Sequence, residues 1–195
     1  MKKRVTSLLL CAVMLVSGLI TAVAAAGEGD TLNACGPAGF KDPERITYTE
    51  AVSVTGGLGL FSGTTDGRFD PLGTVTRAQM ATIIVKMVKG SDFNADSYKG
   101  EGNPFPDTAA YQGGWAEGYI NACAQLGVVK GYGDGTFQPG NPVTAAEALT
   151  MVLNALKVDA GAGEWPNTVM NKAAELKLAD GLGFEAASDR VLNRE

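Results

Sequence analysis

The sequence repeats itself, and this repeat is the feature that most limits the fold. Residues 58–88 align with residues 126–156 without a gap, and 11 of the 31 aligned positions are identical. A repeat of this length is one supersecondary unit that cannot bury its apolar face alone, so neighbouring units must pack against each other. The chain is therefore expected to form an array of similar units around a shared core.

A third, shorter copy follows the second. It begins at Trp165-Pro166-Asn167, which resembles Phe105-Pro106-Asp107, and the sequence ends where the second helix of the unit should begin. We expect this last unit to be incomplete, as in a truncated product. Its apolar residues, among them Trp165, Leu176 and Leu178, are then expected to lack the packing partner that a complete unit provides.

Each unit has the pattern helix, loop, helix. In the second unit, apolar residues such as Trp115 and Tyr119 recur at helical spacing, and Gly127 suits the left-handed cap that ends a helix. The loop that follows contains Asp134-Gly135, as the loop of the first unit contains Asp66-Gly67. Asp-Gly is a strong turn signal. Because the regular acidic pattern of a calcium loop is absent, a structural turn is favoured over a calcium site.

The second helix of each unit is predicted to begin with a capping box. Thr76 is followed three residues later by Gln79, and Thr144 by Glu147, so each threonine can cap the helix while the longer side chain reaches back to it. These patterns predict an all-α fold. The predicted organisation is a signal peptide at 1–26, a lead segment at 27–39, module 1 at 40–90, a linker at 91–104, module 2 at 105–158 and a partial module 3 at 159–195.

The first 26 residues are typical of a secretory signal peptide. Three basic residues at 2–4 precede an apolar run, and an alanine-rich stretch ends at Ala26. An uncleaved membrane anchor is the alternative, because the apolar stretch from 5 to 26 could nearly span a bilayer. The alanine-rich end favours cleavage. We therefore expect an exported protein that begins near Ala25 or Gly27 and has no transmembrane span.

Composition excludes several classes of function. The chain has no histidine, which removes the commonest general base and transition-metal ligand. No pair of carboxylates is marked as catalytic, so neither enzyme activity nor a cofactor or metal is predicted. The net charge is −5, and loss of the three basic residues of the signal peptide makes it −5 − 3 = −8. A chain this acidic is not expected to bind nucleic acid.

Two cysteines remain after signal cleavage. Export permits a disulfide between Cys35 and Cys123. Cys123 lies in a predicted helix, where the role of a small buried hydrophobic residue is favoured over a bridge, and the state of Cys35 is left open.

The order of these motifs resembles that of the S-layer homology (SLH) module. The resemblance covers nearly all of the mature chain, from Phe40 onward, and it implies modules that pack as a pseudo-threefold helical bundle. The residues that carry it are, in chain order, Thr76-Arg77-Ala78-Gln79, Phe105-Pro106-Asp107, Trp115-Ala116, Leu126-Gly127-Val128 and the loop at 131–139.

The resemblance also implies a function. SLH modules anchor exported bacterial proteins non-covalently to cell-wall-linked polysaccharide, commonly through an anionic, pyruvate-modified sugar. The implied protein is a non-catalytic anchoring module at the cell surface, with secondary cell-wall polysaccharide or a peptidoglycan-linked glycan as its partner. Two alternatives stay open: an N-terminal tether of a larger secreted enzyme whose catalytic domain lies beyond residue 195, and a module that ties an outer membrane to peptidoglycan.

Arg77 is the first candidate for contact with the polymer. It opens the second helix of unit 1, where unpaired N–H groups and the helix dipole favour an anion, and a guanidinium suits a carboxylate. A solvated arginine paired with a nearby acid is the alternative. The resemblance favours the polymer contact and implies the same for Arg194 in unit 3, whereas Ala145 in unit 2 has lost the charge. We expect Arg77→Ala to weaken wall binding and to leave the helix intact.

The remaining candidates surround this helix start or resemble aromatic sugar contacts. For Trp115 two roles remain possible, stacking on a sugar ring and packing in the core. For Asp107 two roles also remain possible, orienting a ligand and capping a helix. The full predicted set of ligand-binding residues is Thr76, Arg77, Gln79, Asp107, Trp115 and Arg194.

Overall fold

The computed structural model describes residues 39–100, 102–178, 180 and 188–194. Within these ranges the all-α prediction is confirmed, because extended structure is limited to three isolated bridges. The signal peptide and Cys35 lie outside the described residues. The α-helices are α1 (Thr49–Gly57), α2 (Arg77–Lys89), α3 (Asp107–Ala110), α4 (Glu117–Gln125), α5 (Ala145–Ala155) and α6 (Asn167–Glu175), and short 3-10 helices cover Pro43–Arg45, Ala95–Tyr98 and Tyr111–Gly114.

Both predicted capping boxes are present. The Gln79 N–H donates to Thr76 Oγ1 at 3.3 Å, and the Thr76 N–H donates to Gln79 Oε1 at 2.9 Å. Glu147 and Thr144 form the same pair of hydrogen bonds, at 3.3 and 2.9 Å. Each box satisfies two donors that the first turn of a helix leaves unpaired, which explains why α2 and α5 begin where they do.

The two repeated loops are turns, as predicted. Gly67 and Gly135 have φ values of +84° and +80°, a conformation that glycine adopts without steric cost. In the second loop the Asp134 carboxylate accepts from the Thr136 N–H and hydroxyl at 2.9 and 2.7 Å. The acidic side chain therefore stabilises the turn from within.

Three loop segments meet through hydrogen bonds that follow a cyclic order. The Val75 N–H donates to Leu192 O at 2.9 Å, the Leu192 N–H to Val143 O at 3.0 Å, and the Val143 N–H to Val75 O at 2.8 Å. Each segment thus donates to one neighbour and accepts from the other. This order is compatible with a pseudo-threefold bundle, which for the modules as a whole stays a prediction.

One large apolar core joins the units. Helix α2 packs against both α4 and α5, and α5 packs against α6. Cys123 of α4 is fully buried in this core as a free thiol, and burial raises its pKa to about 12. The prediction that Cys123 acts as a small buried hydrophobic residue is confirmed. Among the described residues, no helix is long and apolar enough to cross a membrane.

The predicted linker at 91–104 packs against α4. Its 3-10 helix, Ala95–Tyr98, contacts α4 along one side, and the ring of Phe93 lies 5.0 Å from that of Tyr98 and 5.8 Å from that of Tyr119. The approach is so close that a Cβ on Gly118 would lie 1.8 Å from the Ala95 carbonyl oxygen. This segment is therefore part of the folded unit.

The third unit aligns with the second in a different register from the one that its opening motif suggests. Helix α6 ends with Lys177 at φ +56° and a Leu178 N–H that donates to Ala173 O at 2.9 Å. Helix α4 ends in the same way, fifty residues earlier, with Gly127 at φ +71°. By this offset Trp165 corresponds to Trp115 and not to Phe105. Leu178 is 1% exposed, so the expectation that it lacks a packing partner is wrong.

Candidate functional site

A groove of about 560 Å³ lies along α2. Gln79 and Lys86 line it from α2, Trp115 from the turn before α4, Arg194 from the third unit, and the loop at 60–65 closes one side. Three of the six predicted ligand-binding residues, Gln79, Trp115 and Arg194, therefore line one cavity. Thr76 lies at the adjacent helix start, where its hydroxyl is used in the capping box.

The groove has a positive lining in an acidic protein. Arg194 and Lys86 supply two cations, and no aspartate or glutamate is among the described residues that line the groove. The Lys86 ammonium donates to the Gly59 carbonyl oxygen at 3.1 Å. Neither cation forms an ion pair with a described residue. The nearest carboxylates that act on Arg194 are those of Asp70 and Asp42, which do not line the groove.

Arg194 is held in place but incompletely satisfied. Its Nη2 donates to the Ser62 carbonyl oxygen at 3.0 Å, and its guanidinium lies 5.4 Å from the centre of the Phe69 ring. Its Nε is buried and has no hydrogen-bond partner among the described residues. Burial lowers the pKa of Arg194 from its ordinary value, although the charges of Asp70 and Asp42 oppose this. An unpartnered buried donor carries a desolvation cost that a bound acceptor would remove.

Trp115 is exposed beside the groove and does not enter the core. Its side chain is 38% exposed, although its ring centre lies 6.5 Å from that of Tyr111. The α4 residues that do enter the core include Ile120 and Cys123. Trp115 is thus exposed at the groove, and its stacking on a sugar ring stays a prediction.

Arg77 has a different environment from the solvent-facing one expected at a helix N terminus. It is 7% exposed, and its Nε donates to the Phe137 carbonyl oxygen at 2.9 Å. Its Nη1 forms an ion pair with Glu147 at 2.8 Å. The guanidinium lies between two rings, 4.5 Å from the centre of Tyr132 and 4.6 Å from that of Phe137. The alternative of pairing with a nearby acid is therefore the observed geometry, and a polymer contact by Arg77 stays a prediction.

The carboxylate of Asp107 binds the backbone of its own module. Its two oxygens accept from the Phe137 and Gln138 N–H groups at 3.0 and 2.7 Å. Asp42 does the same in the first module, where it accepts from the Phe69 and Asp70 N–H groups at 2.7 and 2.9 Å. Neither side chain caps a helix. Each carboxylate ties the opening of its module to the loop that precedes the second helix.

Burial and these hydrogen bonds act on Asp42 in opposite directions. Burial would raise the pKa of Asp42, but the N–H groups of Phe69 and Asp70 and the charge of Arg45 outweigh it, so the pKa lies below its ordinary value. The carboxylate is therefore ionised at neutral pH, the form that accepts these two bonds.

We expect Asp107→Ala to lower the free energy of unfolding by about 2–3 kcal/mol, because it removes both hydrogen bonds and leaves two loop N–H groups without a partner. Urea unfolding followed by circular dichroism measures this. Unchanged stability together with a loss of wall binding would instead assign Asp107 to the ligand.

Sequence reasoning missed most of the residues that line the groove, and two of them are polar side chains on its helices. Lys86 and Tyr119 line it, and neither was a candidate. Lys86 could have been found, because Gln79, Thr82 and Lys86 are spaced by three and four residues and therefore share one face of α2. Among the described residues, no group of three cysteine, aspartate or glutamate side chains could hold a metal ion.

Comparison with known proteins identifies the repeated units. The family model described as S-layer homology domain matches residues 39–81 and 104–149. The chain is 36% identical over 123 residues to "Middle cell wall protein" of Brevibacillus brevis, which covers 63% of this chain and 11% of that protein. It is 36% identical over 137 residues to "Cell surface protein" of Thermoanaerobacter kivui, with 70% of this chain and 17% of that protein covered.

An enzyme is also among the relatives. The chain is 24% identical over 158 residues to "Exoglucanase XynX" of Acetivibrio thermocellus, with 73% of this chain and 14% of the enzyme covered. The chain thus spans less than a fifth of the length of each of these three relatives.

The family match fits the geometry described above. Both matched ranges contain a loop followed by a capped second helix, and each match ends within the first turns of that helix. S-layer homology domains are modules that anchor proteins to the cell wall, so the chain is a cell-surface protein. Residues 39–81 and 104–149 are S-layer homology domains, and the chain belongs to this family.

Proposed function

We propose that this chain anchors its protein to the cell wall by binding an anionic wall polysaccharide in the Arg194 groove. The polymer is a secondary cell-wall polysaccharide or a peptidoglycan-linked glycan. The observation that carries the proposal is a cavity whose described lining contains two cations and no acidic side chain, on a protein whose net charge is −5.

Local contacts must provide the attraction. An acidic protein repels an anionic polymer at long range, so binding depends on oriented donors at short range. A guanidinium can donate two parallel hydrogen bonds to one carboxylate, and Arg194 has a buried Nε without a partner. The exposed ring of Trp115 at the rim of the groove is suited to stack on a sugar.

Arg194→Ala is expected to weaken binding to purified cell wall by about 10- to 100-fold, the loss of one hydrogen-bonded charged contact. Arg194→Lys should recover only part of the loss, because an ammonium cannot form the two-pronged contact. The measurement is co-sedimentation with cell wall that retains its secondary polymer and with wall from which the polymer has been removed.

Lys172→Ala is the matched control, because it removes one positive charge from α6, where Lys172 pairs with Glu175 at 2.7 Å. This variant should bind like the parent. If Arg194→Ala also binds like the parent, the groove is not the polymer site.

A second candidate is the tether of a larger secreted enzyme, which the similarity to an exoglucanase supports. The anchoring role is the same in both cases, and only the attached part differs. Mass spectrometry of the protein released from the cell surface distinguishes them, because a tether would be recovered as part of a much longer polypeptide. An assay of the released protein would then show glycan degradation.

A further inference from the structure

The first α-helices of the three units correspond residue for residue, and one position differs in kind. Helices α1, α4 and α6 each have 9 residues, and two residues after its end each is followed by a residue in the left-handed conformation. The third residue is Ala51 in α1, Tyr119 in α4 and Val169 in α6. Because the other two helices form without an aromatic ring at this position, the architecture of the unit does not require the ring of Tyr119.

Tyr119 lines the groove together with Trp115. Trp115 has helical dihedral angles just before α4, so the four residues between the two side chains place them on one side of the helix, about 6 Å apart along its axis. The lining of the groove therefore includes two aromatic rings, one helical turn apart. Aromatic faces of this kind suit the apolar face of a sugar ring.

Phe93 supports the Tyr119 ring from outside the groove. The two ring centres are 5.8 Å apart, with an angle of 46° between the planes, a tilted arrangement that aromatic pairs favour. Tyr98 packs against Phe93 in turn, at 5.0 Å. Phe93 is not among the described residues that line the groove. It can therefore affect a ligand through Tyr119 without touching that ligand.

The segment between the modules is fixed to α4 two residues before and two residues after Tyr119. The Glu117 carboxylate accepts from the Gly100 N–H at 3.2 Å, and the Asn121 side chain donates to the Tyr98 carbonyl oxygen at 2.8 Å. Glu117 and Asn121 are 8% and 3% exposed, so water competes little for these hydrogen bonds. The segment is thus held at one place along the helix.

We propose that Tyr119 is a further ligand-binding residue of the groove, whose ring stacks on a sugar of the polymer, and that Phe93 is the positioning residue that holds this ring. The inference rests on the proposed function, since it assumes that the groove binds polysaccharide. Ordering a side chain on binding costs affinity, and Phe93 reduces this cost because it fixes the Tyr119 ring before the ligand arrives. The segment between the modules thereby contributes to binding without entering the groove.

Single substitutions in the whole chain separate the two roles. Tyr119→Val introduces the residue that α6 carries at this position, so α4 should still form, and the affinity should fall by about 3- to 10-fold with the loss of one aromatic contact. Tyr119→Phe keeps the ring and should bind within about twofold of the parent. Phe93→Leu removes the supporting ring and should lower the affinity by about 2- to 5-fold. Phe93→Tyr restores a ring and should recover this loss.

The double variant decides whether Phe93 acts through Tyr119. Once Tyr119→Val has removed the ring, Phe93→Leu should have no further effect on affinity. The probe is polysaccharide released from purified cell wall by muramidase digestion, titrated by isothermal calorimetry. Leu178→Val is the matched control, because it trims a buried side chain that is not among the described residues lining the groove. The control should bind like the parent.

Two results would overturn the inference. One is a folded Tyr119→Val variant with parental affinity, and the other is an equal loss from Phe93→Leu with and without the Tyr119 ring. Both differ from failure of the proposed function, in which the parent itself does not bind the fragments and Arg194→Ala has no effect. Circular dichroism of each variant shows whether the helices are intact. If Tyr119→Val does not fold, parental affinity in Phe93→Leu overturns the inference instead.

Discussion

Replacing Arg77 with alanine should lower the free energy of unfolding by about 3–5 kcal/mol, because it breaks a largely buried ion pair and leaves Glu147 without its counter-charge. The substitution also removes the hydrogen bond to Phe137 and the contacts with two rings. Guanidinium chloride unfolding, followed by the helical circular dichroism signal, measures the change. Wall binding of this variant is compared with that of the parent only where circular dichroism shows that the variant is folded.

Arg68→Ala is the control for this experiment. Arg68 pairs with Asp66 at 3.0 Å, but more than half of each side chain is exposed, so the change should be within about 0.5 kcal/mol. If Arg77→Ala unfolds at the same denaturant concentration as the parent and as Arg68→Ala, the buried pair does not stabilise the fold. The helix would then be intact, as the sequence predicts, and co-sedimentation with cell wall would test whether Arg77→Ala also weakens wall binding.

Gly118→Ala should destabilise the protein by about 2–3 kcal/mol, although alanine is ordinarily the better helix former by about 1 kcal/mol. The new Cβ would lie 1.8 Å from the Ala95 carbonyl oxygen, so the segment at 91–104 must move away from α4. We expect the melting temperature to fall by about 5–10 °C, measured by differential scanning calorimetry.

Gly133→Ala provides the comparison, because a Cβ at Gly133 would meet nothing within 4 Å. Its melting temperature should stay close to that of the parent. A Gly118→Ala variant as stable as Gly133→Ala would mean that residues 91–104 behave as the loose linker that their composition predicts.

Features that depend on residues close together in the chain could be predicted from the sequence. The capping box is formed by Thr76 and Gln79, which are three residues apart, and the turn is specified by the adjacent residues Asp134 and Gly135. Gly127 as a helix cap and Cys123 as a buried residue follow from helical periodicity in the same way. These local rules were enough to establish an all-α repeat.

The chemistry of the site depends on contacts that local patterns do not contain. Arg77 and Glu147 are 70 residues apart, and Arg194 and Ser62 are 132 apart. The sequence singled out Arg77 and Arg194 but did not predict which of them forms an ion pair, because charge pairing is decided by how the units face each other. Similarly, Asp107 binds N–H groups 30 and 31 residues away, a role that neither of its proposed alternatives included.

The cyclic order of the three central hydrogen bonds has a consequence for how such modules can multiply. The Val75 N–H and carbonyl are paired with different units, and the same is true of Val143 and Leu192. A single unit would therefore present one open donor and one open acceptor, and two units would still leave one of each. The third segment closes the set, and a further segment would find each of these N–H and carbonyl groups already paired.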